Sequence, residues 1–313
     1  MSNESTKIAD EKYDKISRKG LRGKKVAFPV INTEIPATIR GILFMPEMIM
    51  AIAAGWKTQT RRLAGLEQIN KNPGQWELIR TEKMPDGLAI AAVFKNNKDQ
   101  QVTVKCPIGK PGDILWVREE HYRYGYWIKS GKTEKGNQKY IFKAANNDVK
   151  YTDNAPEKFC KSRCKINYEI PTWYKRNSRF MPKALCRTFL RIKNIWPERL
   201  FEITSSDAIA EGIYRWKNIS EFCNYAKTIK GEEGIINVKI FSEKTANHSK
   251  ELPVYKQYIH DIFVPDEYAI TYDAKASFIG LFLSVHPQRH MNIHDPSNNV
   301  WLWAVEFEKT TPF

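Results

Sequence analysis

The spacing of apolar residues changes several times along the chain and divides it into elements. Residues 42–63, ILFMPEMIMAIAAGWKTQTRRL, begin with an apolar, strand-like run. Apolar residues then recur at helical spacing after Pro46, a residue that suits the first turn of a helix. Gly55 stands where a helix would end in a left-handed residue. The pattern therefore predicts a strand, a helix and then a polar strand over residues 57–62.

The polar strand is the first candidate for chemistry. Strict alternation would place its side chains on two sides, with Thr58, Thr60 and Arg62 on one and Lys57, Gln59 and Arg61 on the other. The stretch has three cations and two hydroxyl groups but no carboxylate, which favours a polar or anionic ligand. The alternative is an exposed edge strand that charge protects from pairing.

Turn signals and short apolar runs follow. Residues 64–105 contain two such turns between strand-like runs, which is typical of hairpins. A Lys-Pro-Gly-Asp turn at 110–113 precedes an apolar strand at 114–117, and Arg118 and Glu119 come at its end. We expect these charged residues at the rim of a barrel, where they either bind a ligand or form a surface ion pair of little energetic value.

A second candidate lies in a short predicted helix. Thr204 is a natural N-cap with Asp207 three residues later, and Gly212 predicts the helix end. Glu211 would then occupy the last turn, at the negative end of the helix dipole. A carboxylate at this unfavourable end is either a functional residue or an exposed one with a small cost.

The other elements complete the expected fold, which is α+β. A long strand is predicted from Leu185 onward, SFIGLFLSV predicts a helix, and NVWLWAVEFEKT predicts a final strand with Trp303, Val305 and Phe307 on one side. Residues 1–38 are predicted to be a basic arm, and residues 39–313 a single domain. Insertions are expected at about 128–178, with one strand at KYIFKA, and at about 214–275, with a strand at IINVKIF.

Composition restricts the class of protein. The chain has 313 residues, 42% of them hydrophobic and 12% aromatic, which is typical of a globular protein. It has neither a signal-peptide core nor an apolar run long enough to cross a bilayer, so we expect a cytoplasmic protein without a membrane partner. The odd number of Cys residues, five, favours reduced thiols. Cys160 and Cys164 would bind zinc only if two more ligands converged on them, and we expect no metal or cofactor.

The charge of the chain indicates which kind of partner to expect. The net charge of +15 favours a polyanion such as RNA or DNA, although it also serves solubility alone.

The order of segments resembles the ASCH family, which has a PUA-like fold, and in particular its longer members from bacteriophages and prophages. The matching segments are ILFMPEMIMAIAAGWKTQTRR, CPIGKPGDILWVRE, FMPKALCRTFLRI, ERLFEITSSDAIAEGI and WLWAVEFEK. The two insertions and the arm fall outside the match. The resemblance implies a PUA-like mixed β-barrel with flanking helices, enlarged by the insertions, and a location in the host cytoplasm if a phage encodes the chain.

The resemblance also implies candidate residues. Some small bacterial members hydrolyse the acetyl amide of N(4)-acetylcytidine with a Lys, a Thr and a Glu. Their Gly-x-Lys-Thr-x-Thr motif matches residues 55–60, which implies Lys57 as base and Thr60 as nucleophile. Their Glu matches Glu211, which would protonate the leaving amine. Thr58, Arg61, Arg62, Arg118 and Glu119 are the candidate ligand-binding residues.

Three functions therefore stand as hypotheses. The first is binding of RNA or of a modified nucleoside or nucleotide in a pocket of Lys, Thr, Arg and Glu residues. The second is an amidohydrolase that removes an acyl group from a cytidine-type base. In this second case Lys57 must have a lowered pKa, which we attribute to Arg61 and Arg62 beside it. The third is a phage interaction protein that uses the fold as a scaffold and its insertions to bind a protein partner.

Overall fold

The computed structural model describes residues 37–85, 87, 89–161, 170–217, 220–221, 239–240, 254–256, 269–271, 273–286 and 299–311. Contacts within the chain make Ala37–Phe313 one compact unit. The predicted basic arm lies outside the described residues except for its last two positions.

A five-stranded sheet forms the centre of this unit. Its strands, in spatial order, are β1 (Ile39–Leu43), β6 (Ile114–Arg118), β10 (Phe189–Arg199), β15 (Trp301–Thr310) and β2 (Gln59–Arg62). β1 and β6 are parallel, whereas the other neighbours are antiparallel. β10 begins at Phe189 rather than at Leu185, because Lys183–Leu185 forms a 3-10 turn.

Both faces of the sheet are covered by apolar residues. On one face, Trp303, Val305 and Phe307 of β15 pack with Ile52 of helix α1 (Pro46–Ala53), which confirms the predicted alternation. On the other face, Leu302 packs with residues of helix α3 (Ala274–Val285). Each large side chain buried in this way contributes about 1.5–3 kcal/mol relative to exposure. No helix in the described ranges is long and apolar enough to cross a membrane.

The predicted hairpins are confirmed as a second, antiparallel sheet. It consists of β3 (Trp76–Lys83), β4 (Ile90–Asn96) and β5 (Gln101–Lys105). β4 is the middle strand and is almost fully buried, so this sheet extends the core that contains Trp303.

The first insertion differs from the prediction. It forms a three-stranded antiparallel sheet of β7 (His121–Lys132), β8 (Gln138–Tyr151) and β9 (Thr172–Arg176), with β7 in the middle. The predicted strand KYIFKA is confirmed as part of β8, but β7 and β9 were missed, so the expected number of strands was wrong. The register between β7 and β8 is irregular at two places, which interrupts the alternation.

The second insertion is described only in short pieces. Beyond helix α2 (Ser205–Ala210), a small sheet has the order β11-β13-β14-β12, with strands Arg215–Trp216, Val254–Lys256, Ala269–Thr271 and Lys239–Ile240. The predicted strand IINVKIF contains β12, and its other residues lie outside the described part of the chain.

The fold is thus α+β and rich in strands, but the described strands do not close into a barrel. The five-stranded order ends at β1 on one side and at β2 on the other, and no described strand pairs these two ends. The hydrogen bonds between the described strands therefore do not form the closed barrel that the resemblance implied.

Candidate functional site

The turn after α1 buries Lys57 beside the helix that precedes it. The helix ends before Gly55, whose φ of +81° matches the predicted left-handed position. The backbone N–H groups of Trp56 and Lys57 both donate to the carbonyl of Ala51, at 2.8 and 3.1 Å. The chain therefore turns back on the helix, and the Lys57 side chain is only 2% exposed.

Glu211 reaches the same point from α2. Thr204 caps this helix by accepting from the N–H of Asp207 at 3.1 Å, as predicted, and Gly212 follows with a φ of +82°. The ammonium Nζ of Lys57 donates to the carbonyl of Glu211 at 2.6 Å and to its Oε2 at 2.7 Å. The fold thus brings two predicted catalytic residues into a buried ion pair.

Arg61 extends this pair into a network. Its Nη1 donates to Glu211 Oε1 at 3.2 Å and to Gln59 Oε1 at 3.0 Å, and its Nε donates to Glu198. Gln59 in turn donates to Asp207 Oδ1 at 3.0 Å. The Glu211 carboxylate therefore accepts from two buried cations, and the predicted grouping of Lys57, Gln59 and Arg61 on one side agrees with these contacts.

Burial dominates the electrostatics of Lys57. It lowers the pKa of Lys57, and the attraction of Glu211 opposes only part of that shift. The lowered pKa confirms the prediction, but its main cause is burial rather than the neighbouring arginines, whose contribution is smaller. For Asp207, burial would raise the pKa, but hydrogen bonds from Thr204 and Gln59 outweigh it and the pKa lies below 3.8.

Thr60 lies within β2 and faces the core. It pairs with Val305, a residue of the core face, and its side chain is buried. The hydrogen bonds of Lys57 Nζ within the described part of the chain go to Glu211 and not to Thr60. Thr58 is exposed, and its backbone bonds to Ala210 and Phe307. Lys57 precedes β2, which begins at Gln59, so the predicted alternation does not by itself separate Lys57 from Thr60.

Arg62 and Lys57 both lie over the aromatic ring of Phe44. The Arg62 guanidinium carbon is 5.0 Å from the ring centroid and Lys57 Nζ is 5.4 Å from it, both within cation–π range. Arg62 Nη2 donates to the carbonyl of Leu43 at 2.6 Å. Burial lowers the pKa of Arg62. Phe44, which also lines the cavity described below, therefore contacts both cations.

The structure does not bring Arg118 and Glu119 to Lys57. Arg118 lies 4.7 Å over the ring of Trp116 and against Gly41, where a side chain would collide with the guanidinium. Glu119 is 3% exposed and accepts from Arg187 at 3.0 and 2.8 Å. The ion pair of Glu119 is therefore with Arg187, which sequence reasoning did not select.

Glu119 and Arg187 line a cavity of ≈ 230 Å³. Its lining residues come from α1 and the segment just before it, from the start of β7 and the ends of β8 and β9, and from the segment before β10: Phe44, Pro46, Ile49, Met50, Ala53, Glu119, Glu120, Thr152, Asp153, Ser178 and Arg187. Arg187 also donates to Asp153 at 2.8 Å. The signal that could have found Arg187 is a charged residue just before the long strand β10.

The described residues do not form a set of zinc ligands around Cys160. Cys160 is half-buried, whereas Cys164 lies outside the described ranges. No three His, Cys, Asp or Glu side chains converge as metal ligands within those ranges.

Comparisons with protein-family models, curated proteins and solved structures give no match for this chain. The ASCH resemblance and its PUA-like fold therefore remain a prediction.

Proposed function

We propose that this protein binds a nucleobase in the cavity beside α1, either in a free nucleoside or in RNA. The observation that carries the proposal is the pairing of an apolar wall with a buried carboxylate in a space of ≈ 230 Å³. A base is a flat apolar ring with hydrogen-bonding groups on its edge, and it needs both features.

The apolar wall suits the faces of a base. Phe44, Pro46, Ile49, Met50 and Ala53 provide it from one short segment around α1. The volume is below the roughly 300–1,000 Å³ of common ligand pockets, which favours one base over a longer piece of polymer.

The opposite wall suits a ligand that donates hydrogen bonds. It contains three carboxylates, Glu119, Glu120 and Asp153, but one guanidinium, Arg187. A carboxylate has about four acceptor sites, so the bidentate Arg187 contact leaves acceptor capacity on Glu119. Carboxylates accept from the exocyclic amine of cytosine, whereas they repel phosphate. The cavity therefore favours an amino-bearing base, with any phosphate outside it.

Titration calorimetry with the four common nucleosides tests this proposal. We expect cytidine or adenosine to bind more tightly than uridine, which lacks an exocyclic amine. Glu119→Gln keeps the shape of the side chain and removes its charge. It should weaken binding about tenfold or more, because a hydrogen bond to a charged group contributes about 1.5–3 kcal/mol.

Two further variants make the test specific. Glu82→Gln is the matched control, since Glu82 forms an exposed ion pair with Arg80 at 2.8 Å on β3. Ala53→Trp should block the cavity from an exposed helix position without changing a charge. Absence of binding by every nucleoside, or equal affinity of wild type and Ala53→Trp, would reject the proposal.

Removal of an acyl group from a modified cytidine is a second candidate, and the contact of Lys57 with Glu211 favours it. The lowered pKa of Lys57 increases its fraction of neutral amine, the form that acts as a base. The nucleophile role of Thr60 stays a prediction, because no hydrogen bond joins Thr60 to Lys57 in the described part of the chain. Mass spectrometry after incubation with N(4)-acetylcytidine should show cytidine and acetate with wild type but not with Lys57→Met. Equal product from both would exclude Lys57 as the catalytic base.

A further inference from the structure

The three-stranded sheet of the first insertion has an unusual composition. Strands β7, β8 and β9 carry eight Lys and Arg residues and nine Phe, Tyr and Trp residues, but one carboxylate, Asp148. Their formal charge of +7 is nearly half of the +15 of the whole chain. A face that needs only solubility would mix both signs of charge.

One face of this sheet is packed. Tyr174 is 1% exposed and meets Trp127 and Phe142 edge-on, with ring centroids 6.1 and 5.8 Å away. The guanidinium of Arg176 lies 4.8 Å over the Trp127 ring and 4.6 Å over the Phe142 ring. This face supports the sheet. On the opposite face Tyr122 is buried against Phe159, whereas Tyr124 and Tyr126 stay half-buried and available to a ligand.

The other face presents aromatic rings next to lysines. Tyr124 pairs with Trp173, and Tyr126 pairs with Lys143, so these side chains share that face. The three rings are half-buried and Lys143 is exposed. Lys150 Nζ lies 5.3 Å over the Trp173 ring, and the Tyr124 and Trp173 centroids are 5.6 Å apart.

We infer that this face, formed by Tyr124, Tyr126, Trp173, Lys143 and Lys150, binds single-stranded nucleic acid. Bases stack on partly exposed aromatic rings, and lysines between the rings hold the phosphates. An acidic protein would satisfy the charge, but it would not explain three neighbouring rings that stay partly exposed. The inference shares with the proposed function only the choice of nucleic acid as the ligand class.

The sheet also leads to the cavity. Glu119 and Glu120 precede β7, Thr152 follows β8 and Ser178 follows shortly after β9, and all four residues line the cavity. The start of β7 and the ends of its two antiparallel neighbours therefore meet there. A strand that lies on the aromatic face can direct one base into the cavity while its phosphates remain on the lysines.

Fluorescence anisotropy tests the inference. The probes are a labelled single strand, in RNA and DNA form, and the corresponding duplex, and each is measured over a series of salt concentrations. Tyr126→Ala should weaken single-strand binding about tenfold or more, in line with the cost of losing one base–aromatic stack. Lys143→Glu should reduce the salt slope by about 0.7 for each phosphate that the side chain no longer neutralises. Lys83→Glu makes the same charge change at an exposed position on β3 and is the matched control.

The outcomes separate this inference from the proposed function. Loss of single-strand binding in Lys143→Glu, with nucleoside binding retained and the control unaffected, supports the sheet as the binding surface. Equal weakening by Lys143→Glu and Lys83→Glu would overturn it, as would tight binding of duplex or of polyglutamate. If Glu119→Gln loses nucleoside binding but keeps single-strand binding, the result bears on the cavity and not on the sheet. If Tyr126→Ala does not fold, Lys143→Glu decides the question, since its side chain is exposed.

Discussion

Gly212→Ala tests the geometry of the Lys57–Glu211 pair without changing any charge. Gly212 has a φ of +82°, and a Cβ placed there would lie 2.7 Å from Lys57 Cβ and 3.0 Å from Ala51 Cβ. Gly55 provides a matched control, because it also follows a helix, has a φ of +81° and has nothing within 4 Å of an added Cβ. The two substitutions therefore share the backbone cost and differ in the collision with Lys57.

The magnitude follows from these two terms. A left-handed conformation costs a residue with a Cβ about 1–2 kcal/mol. Gly→Ala also restricts the unfolded chain, which offsets about 0.4–1 kcal/mol of that cost. Gly55→Ala should therefore lower the free energy of unfolding by roughly 1 kcal/mol. Gly212→Ala adds overpacking of about 1–3 kcal/mol, because the backbone of Lys57 and helix α1 must shift.

Urea denaturation of wild type and both variants measures the difference directly, provided that the m-values agree. We expect Gly212→Ala to be less stable than Gly55→Ala by about 1–3 kcal/mol. A difference below about 0.5 kcal/mol, the usual range for a neutral surface change, would refute the close approach of Gly212 to Lys57.

Two more predictions concern the charged network. Lys57→Met should lower the free energy of unfolding by about 1.5–3 kcal/mol, because Glu211 loses one of its two buried cationic partners but keeps its contact with Arg61 at 3.2 Å. Denaturation of Lys57→Met, Glu211→Gln and the double variant should show a coupling energy of about 0.5–3 kcal/mol, whereas additive losses would contradict the pair. The lowered pKa of Asp207 means that the unfolded chain takes up its proton first, so stability should fall as the pH drops through 3.8 and below. Asp207→Asn should weaken that fall between pH 5 and 2.5 in denaturation experiments, and an unchanged profile would show that Thr204 and Gln59 do not hold the carboxylate.

Local backbone chemistry made several elements predictable. Pro46 and Gly55 mark the two ends of α1, while Thr204 and Gly212 mark those of α2, because caps and left-handed residues depend on a few neighbouring atoms. The alternation in β15 was equally clear, since a strand packed on both faces still places every second side chain on the same face.

The first insertion shows where local signals end. Gly125 illustrates the difficulty, because a Cβ there would collide with the backbone of Lys143 on the next strand. That close approach is a property of two strands, and the sequence of either strand alone does not show it. The polar composition of residues 128–178 therefore indicated an insertion with one strand, where the structure has a sheet of three strands.

The sequence alone determined the candidate residues around Lys57, the α+β class and the main helix ends, because these depend on residue type and short-range spacing. Only the tertiary structure decided which side chains meet. Lys57 and Glu211 are 154 residues apart, and Arg187 and Glu119 are 68 apart. Hydrogen-bond geometry and burial choose such partners after the sheets pack, so no local pattern encodes them. The same packing placed Thr60 in the core and formed the cavity at the ends of three strands.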